Sequence, residues 1–312
     1  MVKKNQYKLI DLFCGLGGLR LGFEKYGCKT IFSSDNDKYS QKIYELNFKE
    51  KPHGDINNVK IKDIPKHDIL LAGFPCQAFS IAGKGLGFAD TRGTLFFSIE
   101  KILREKKPRA FLLENVKRLK THDNGKTFEI IKNKLLQLDY DIHYKVLNTL
   151  DFGLPQKRER TYIVGFKKKT NFEFPIGNRS FKELSKVLEN NKDVDKSYFL
   201  SKKILKKREK KIKSKKNLKL FKERTVVHEN IGGNLSPLNY SCALRAGGSY
   251  NYLAVDGIRR LTGREMLRLQ GFPEKYKIDA PYTQIRKLAG NSVSVPVIEK
   301  IAEKMLECLN EK

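Results

Sequence analysis

Cys76 stands in "AGFPCQAFS", Ala72 to Ser80, directly after a proline and at the end of the apolar run "DILL". A thiol there is either a buried, inert side chain or a nucleophile. Glu114 and Asn115 close a second apolar run, "FLLENV". A carboxylate whose pKa is raised by burial can share or donate a proton at such a strand end, and a helix N-cap pair is equally at home there. In "PQKRER", an extended backbone puts Gln156, Arg158 and Arg160 on one face and Lys157 and Glu159 on the other. Two guanidiniums on one face suit carbonyl oxygen or phosphate recognition, although a solvated charge run has the same composition. "LIDLFCGLGG" sets Gly15, Gly17 and Gly18 against a strand, where glycine lets backbone amides approach a ligand. Asp35 ends "FSSD" about twenty residues later, the spacing at which an acid accepts hydrogen bonds from ribose hydroxyls; a turn aspartate fits that spacing as well. The pattern D-x-F-x-G-x-G-G, rather than G-x-G-x-x-G, favours a nucleoside-containing cofactor over a dinucleotide.

These residues need elements to hold them. Up to about residue 165 the chain alternates short apolar runs with amphipathic stretches, the βαβ pattern of a parallel sheet covered on both faces. "YKLIDLF", "CKTIFSSD", "HDILLAGF", "RAFLLEN", "DIHYKVLN" and "RTYIVGF" read as strands. "LRLGFEKYG", "YSQKIYELNF" and "FFSIEKILREKKP" have helical spacing, the last with Phe97, Ile99, Ile102 and Leu103 on one face before Pro108. Cys76, Glu114 and Asn115 thereby fall at the carboxyl edge of the sheet, where open α/β folds bind ligands. Pro75 stiffens the turn that presents Cys76, and the glycine-rich stretch from Gln77 to Gly93 reads as a loop able to close over a site.

The net charge of +28 points to a polyanionic partner, with a lysine-rich genome composition as the rival explanation. Its distribution favours the partner: residues 167–224 hold 21 basic and 7 acidic side chains, a net +14 and half of the excess. Within this segment "SKKILKKREKKIKSKKNLK" reads as a phosphate-contacting surface or as a disordered, tail-like run. "SCALRAGGSYNYLAV" reads as more structured. The five cysteines form no C-x-x-C pair, so neither a disulfide framework nor a metal site is expected. With no long apolar segment and no export signal, a cytoplasmic protein is expected. The final stretch "SVSVPVIEKIAEKMLECLNEK" reads as a helix whose apolar face, Val297, Ile298, Ile301, Met305 and Leu306, needs the sheet domain as cover.

"DLFCGLGG", "GFPCQAFS", "ENV", "PQKRER", "RRLTGREMLRLQGFP" and "AGNSV" stand in the order and spacing of the signature blocks of DNA cytosine-5 methyltransferases. The chain resembles the compact bacterial restriction-modification enzymes of that family, of the HhaI type. The resemblance implies an α/β, Rossmann-like S-adenosylmethionine-dependent sheet domain at 1–168 and 275–312, with a basic target-recognition region and hinge at 169–274 inserted before the C-terminal helix. It implies methyl transfer to C5 of a flipped cytosine in a short duplex DNA site, through a covalent adduct of Cys76 with C6. Glu114 would contact N3 and the exocyclic amine, Arg160 would lie near O2, and Arg158 would be its companion, holding the site or backbone. S-adenosyl-L-methionine would be held by Phe13, Gly15, Gly17, Gly18, Asp35, Asp55, Ile56, Pro75, Leu95 and Asn291. Gln77, Ser80, Arg92, Gln156 and Arg245 are the expected DNA contacts. The partner is double-stranded DNA, with the chain acting as a monomer beside a cognate endonuclease that it does not stably bind. One departure is Asn36, where HhaI-type enzymes carry a tryptophan, so the adenine would be stacked on one face only. Two rival readings are a cytosine-5 tRNA methyltransferase, whose Cys-Phe-Thr signature is absent here, and an inactive DNA-binding relative, against which the intact catalytic set argues.

Overall fold

Strands form where the apolar runs stand. The computed structural model describes residues 6–74, 94–178, 180–213, 224–230, 232–247 and 252–311. In it β1 (Lys8–Leu12), β2 (Lys29–Ser34), β3 (Ile69–Gly73) and β4 (Ala110–Val116) pair in parallel in the order β2-β1-β3-β4. Their residues are buried on both faces almost throughout, which is why these segments read as continuous apolar runs rather than alternating ones. Between them run α1 (Gly18–Glu24), α2 (Lys38–Phe48) and α3 (Thr94–Lys106), followed by α4 (Lys126–Leu136) before β5 (Asp141–Asn148). Asp37 caps α2 by accepting from the amides of Tyr39 and Ser40. The chain leaves α3 through Lys107, at φ 48°, ahead of Pro108. Phe96, Ile99, Ile102 and Leu103 form the buried face of α3, with Phe97 only partly buried beside it.

The all-parallel expectation fails at one position. After the two-residue β6 (Gln156–Lys157), β7 (Glu159–Phe166) enters the sheet between β4 and β5 and runs antiparallel to β4. The stretch from β5 to β7 holds a single 3-10 turn instead of the helix that a parallel crossover needs. The resulting six-stranded sheet is mixed, and its register sets Glu114 opposite Tyr162 and Val116 opposite Arg160.

By compactness the chain divides into two units, Met1–Leu147 with Glu159–Ile176 and Val295–Lys312, and Asn148–Arg158 with Gly177–Ser294. The second contains β6 and α5 (Lys202–Lys213), then β8 (Val226–Glu229), β9 (Leu235–Leu238), β10 (Ser241–Cys242) and β11 (Leu253–Val255). α6 (Gly263–Gln270) and α7 (Tyr282–Asn291) complete it. β8 lies between β9 and β11 in an antiparallel sheet, and β6 pairs in parallel with β10. Its core gathers Val226, Leu253 and Val255 with Leu261, Met266 and Leu269. Arg259 and Glu265 form an ion pair with no exposure at all, and Glu265 also completes a capping box with Thr262 at the start of α6.

α8 (Val295–Asn310) belongs to the first unit and packs on α1. Its expected apolar face is buried in full. A Cβ at Gly22 would come within 2.5 Å of Ile298 Cγ2, so the two helices approach as closely as they do only because α1 carries glycine there. Tyr7 Oη donates to the Leu309 carbonyl at 3.0 Å and closes the far end of the same packing. Among the described residues no helix is long and apolar enough to cross a membrane.

Candidate active site

The glycine loop is built by local strain that the sequence permits. After β1, Phe13 (φ 54°), Gly15 (φ 53°) and Gly17 (φ 71°) all take left-handed backbone. A side chain at Gly17 would collide with the Phe48 ring, so the loop lies against α2 by virtue of what Gly17 lacks. Gly18 opens α1 and is buried. Asp35 accepts from the Gly15 amide at 2.8 Å through one carboxylate oxygen and from the Asp37 amide at 2.8 Å through the other. Ser40 Oγ donates to the Gly15 carbonyl at 2.9 Å. Asp35 therefore fastens the loop to the next strand and helix. Burial raises its pKa above the ordinary aspartate value, against the opposing effect of those two backbone bonds.

Asp55 caps a 3-10 turn at 56–58 by accepting from the Asn57 amide at 3.0 Å. Ile56 is buried in the core behind it, and Leu95 and Phe13 pack on the same core from partly buried positions. Asn291 is exposed at the end of α7 in the second unit. Asp11, which sequence reading left without a role, is fully buried on β1, and neither of its carboxyl oxygens has a hydrogen-bond partner among the described residues. Burial raises its pKa well above the usual carboxylate range.

At the ends of β3 and β4 the expected reactive groups converge. Gly73 lies opposite Glu114, and a Cβ on Gly73 would sit 3.6 Å from Glu114 Oε2. Arg160 Nε lies 3.2 Å from Glu114 Oε1, with both side chains largely buried. Arg160 Nη1 also donates to the Glu159 carbonyl, while Glu159 pairs outward with Lys117 at 2.8 Å. Asn115 Nδ2 donates to the Phe74 carbonyl at 2.9 Å, which fixes the last described residue of the strand leading toward Cys76. Pro75, Cys76, Gln77, Ser80, Arg92 and the expected closing loop from Gln77 to Gly93 lie outside the described residues. The site that can be built is thus a carboxylate and a guanidinium paired at the sheet edge, next to a pinned strand end.

Two expected site residues have other work. Arg158 is 1% exposed and donates to the carbonyls of Leu244 (3.1 Å), Gly290 (3.0 Å) and Ser292 (2.5 Å), all within the second unit. Gln156 is completely buried. Its amide donates to the Leu269 carbonyl and the Gln270 side chain and accepts from the Leu244 amide. The expected shared face of Gln156 and Arg158 exists and faces protein, so both brace the "AGNSV" and "RLQGFP" segments. Gln270, unremarked in the sequence, joins them by donating to the carbonyls of Ala289 and Ser292 and accepting from Ser294 Oγ. Arg245 is exposed, its guanidinium 5.3 Å from the centroid of the Tyr252 ring. Tyr252 Oη accepts from the Arg245 amide at 2.8 Å.

A family model described as C-5 cytosine-specific DNA methylase matches residues 7–307. The chain is 64% identical over 305 residues to the Type II methyltransferase M.HaeII of Haemophilus aegyptius, covering 98% of this chain and 94% of that one. It is 43% identical over 317 residues to the Type II methyltransferase M.HhaI of Haemophilus parahaemolyticus, covering 98% and 96%. In fold it is similar to the crystal structure of S. pombe Dnmt2 methyltransferase, with a TM-score of 0.75 at 20% identity over 98% of this chain and all of that one.

Proposed function

The chain belongs to the C-5 cytosine-specific DNA methylase family and is a DNA cytosine-5 methyltransferase of the restriction-modification kind, and from that premise we propose how its residues carry the reaction. The substrate is a cytosine flipped out of a specific short duplex site, since C5 and C6 are inaccessible inside the stack. The methyl donor is S-adenosyl-L-methionine, and its sulfonium supplies an electrophilic methyl group. The loop of left-handed Phe13, Gly15 and Gly17 suits that cofactor, with the Asp35 carboxylate fastened beside it as an acceptor for ribose hydroxyls. Phe13, Gly18, Asp55, Ile56, Leu95, Pro75 and Asn291 are assigned to the same role.

Cys76 adds as thiolate to C6, which breaks the ring's conjugation and makes C5 enamine-like. As charge develops, Glu114 faces N3 and the exocyclic amine and favours protonation at N3, while Arg160 faces O2. After methyl transfer the C5 proton leaves to water and the thiolate is expelled. Gln77, Ser80, Arg92 and Arg245 are assigned to the DNA. The chain acts as a cytoplasmic monomer, without a stable complex with its endonuclease.

The pairing of Glu114 with Arg160 beside the pinned end of β3 is the observation that carries this reading. Its test is incubation with labelled cofactor and duplex DNA containing 5-fluorocytosine, whose fluorine cannot leave as a proton. A covalent adduct on DNA is expected. An adduct on tRNA with none on DNA would overturn the choice of substrate.

A further inference from the structure

α5 carries two kinds of cation on two faces. At 100° per residue, Lys202, Lys206, Lys210, Lys203 and Lys207 fall within an arc of about 140°, and all five are exposed. Ile204, Leu205, Arg208 and Lys211 lie on the other side and are partly or fully buried, while Glu209 is exposed at the edge next to Lys202. Arg208 is 4% exposed and pairs with Glu229 of β8 at 2.9 Å. Lys211 reaches the same carboxylate at 3.5 Å and the Gly233 carbonyl at 2.8 Å. The inner cations thus fix the helix, and the outer five have no ion-pair partner among the described residues.

Elsewhere some exposed helix lysines are matched and others, such as Lys38, Lys101 and Lys126, have no ion-pair partner among the described residues, but none of these stands in a cluster of five. Lys300 pairs with Glu303 and Lys304 with Glu307 on α8, and Lys132 pairs with Glu129 on α4. The one acid of α5, exposed Glu209, lies at the edge of this arc beside Lys202 and forms no ion pair among the described residues, so five positive charges are held together on one helix face at a cost in self-repulsion that a polyanion would relieve.

We propose that this face of α5 is a sequence-independent docking surface for the phosphates of duplex DNA, distinct from the groups that read the target and from those that react. The choice of DNA as the polyanion rests on the proposed function; the charge arrangement does not. Lys202 and Lys210 are separated by about 12 Å along the helix axis, which spans about three phosphates of one strand at ~3.4 Å of duplex axis each. Contacts of this kind set how long the enzyme stays on a duplex while it searches, and they do not set which cytosine it modifies.

The test uses the full chain and a duplex of A·T pairs only, which contains no cytosine, so the outcome is independent of methyl transfer. Binding is measured against salt for the wild type, for Lys203→Gln/Lys206→Gln/Lys210→Gln, and for the control Lys132→Gln/Lys300→Gln/Lys304→Gln. The α5 variant is expected to lose about 2–3 from the log-log salt slope. The wild-type advantage over it should then shrink roughly thirtyfold between 50 and 200 mM salt. The control, which removes the same charge from matched lysines, should keep nearly the wild-type slope. An unchanged slope in a folded α5 variant, or equal losses in both triple variants, overturns the proposal. So does a wild-type slope larger on an RNA duplex than on DNA. If the triple variant fails to fold, Lys203→Gln and Lys210→Gln singly decide the matter, each expected to lower the slope by just under one.

Discussion

Arg158 and Arg160 are two residues apart, and the structure predicts opposite consequences for the same conservative change. Arg158→Lys replaces a fork that serves three carbonyls with one compact ammonium. One or two of those carbonyls then lose their donor, at about 1–3 kcal/mol each. A total of about 1–6 kcal/mol, taken with a denaturant slope of about 2 kcal/mol per M, lowers the urea midpoint of the second unit by roughly 0.5–3 M. The chain has no tryptophan, so far-UV circular dichroism is the appropriate probe. Where the variant remains folded, its single-turnover methylation rate should stay within a few-fold of wild type. Arg160→Lys keeps a cation near Glu114, so the midpoint should hold, while loss of a positioned donor should slow single-turnover methylation by roughly 100- to 1000-fold. If Arg158→Lys left the midpoint intact and abolished turnover, Arg158 would belong to the chemistry and the bracing argument would fall.

Cys76→Ser should abolish methylation while cofactor binding, read by calorimetry, survives; retained methylation would remove Cys76 from its role. Asp35, whose pKa is raised by burial, takes up a proton at a higher pH than an ordinary aspartate. Cofactor affinity should therefore fall as pH drops toward that raised value, and Asp35→Asn should bind weakly at every pH; a flat wild-type profile between pH 7 and 4.5 contradicts this. Gly17→Ala combines a left-handed φ with a clash against Phe48. It should destabilise the first unit by about 1–3 kcal/mol and weaken cofactor binding more than tenfold, both measurable by thermal shift with and without cofactor.

The sheet was legible because burial on both faces leaves runs such as "ILLAG" no polar positions to blur them. The direction of β7 was not legible, since it depends on how few residues link it to β5, which no residue pattern inside the strand records. Glu114 and Arg160 were found because strand ends supply a shared edge, and a register then joins them. The partners of Gln156 and Arg158 were not legible: alternation tells which side chains share a face, but not whether that face meets solvent or another segment 130 residues away, as Arg158 meets Ser292. For residues 202–213 of the lysine run the disordered reading gave way once Arg208 was seen to pair with Glu229, a carboxylate on a different element. Asp35 was noticed as an acid for a ligand, whereas its hold on the Gly15 amide needs the fold to bring the two together.

The packing of α8 on α1 also has a consequence in time. The glycine loop and α1 leave the ribosome first, but the helix that covers α1 begins at Val295, after the whole second unit has been made. At about 5–20 residues per second, α1 waits on the order of 15–60 s with its Ile298-contacting face bare. A nascent chain therefore holds α1 uncovered while the whole second unit is made. The first unit can close only when the second is already present, so a chain whose first unit is closed is one that also carries its second.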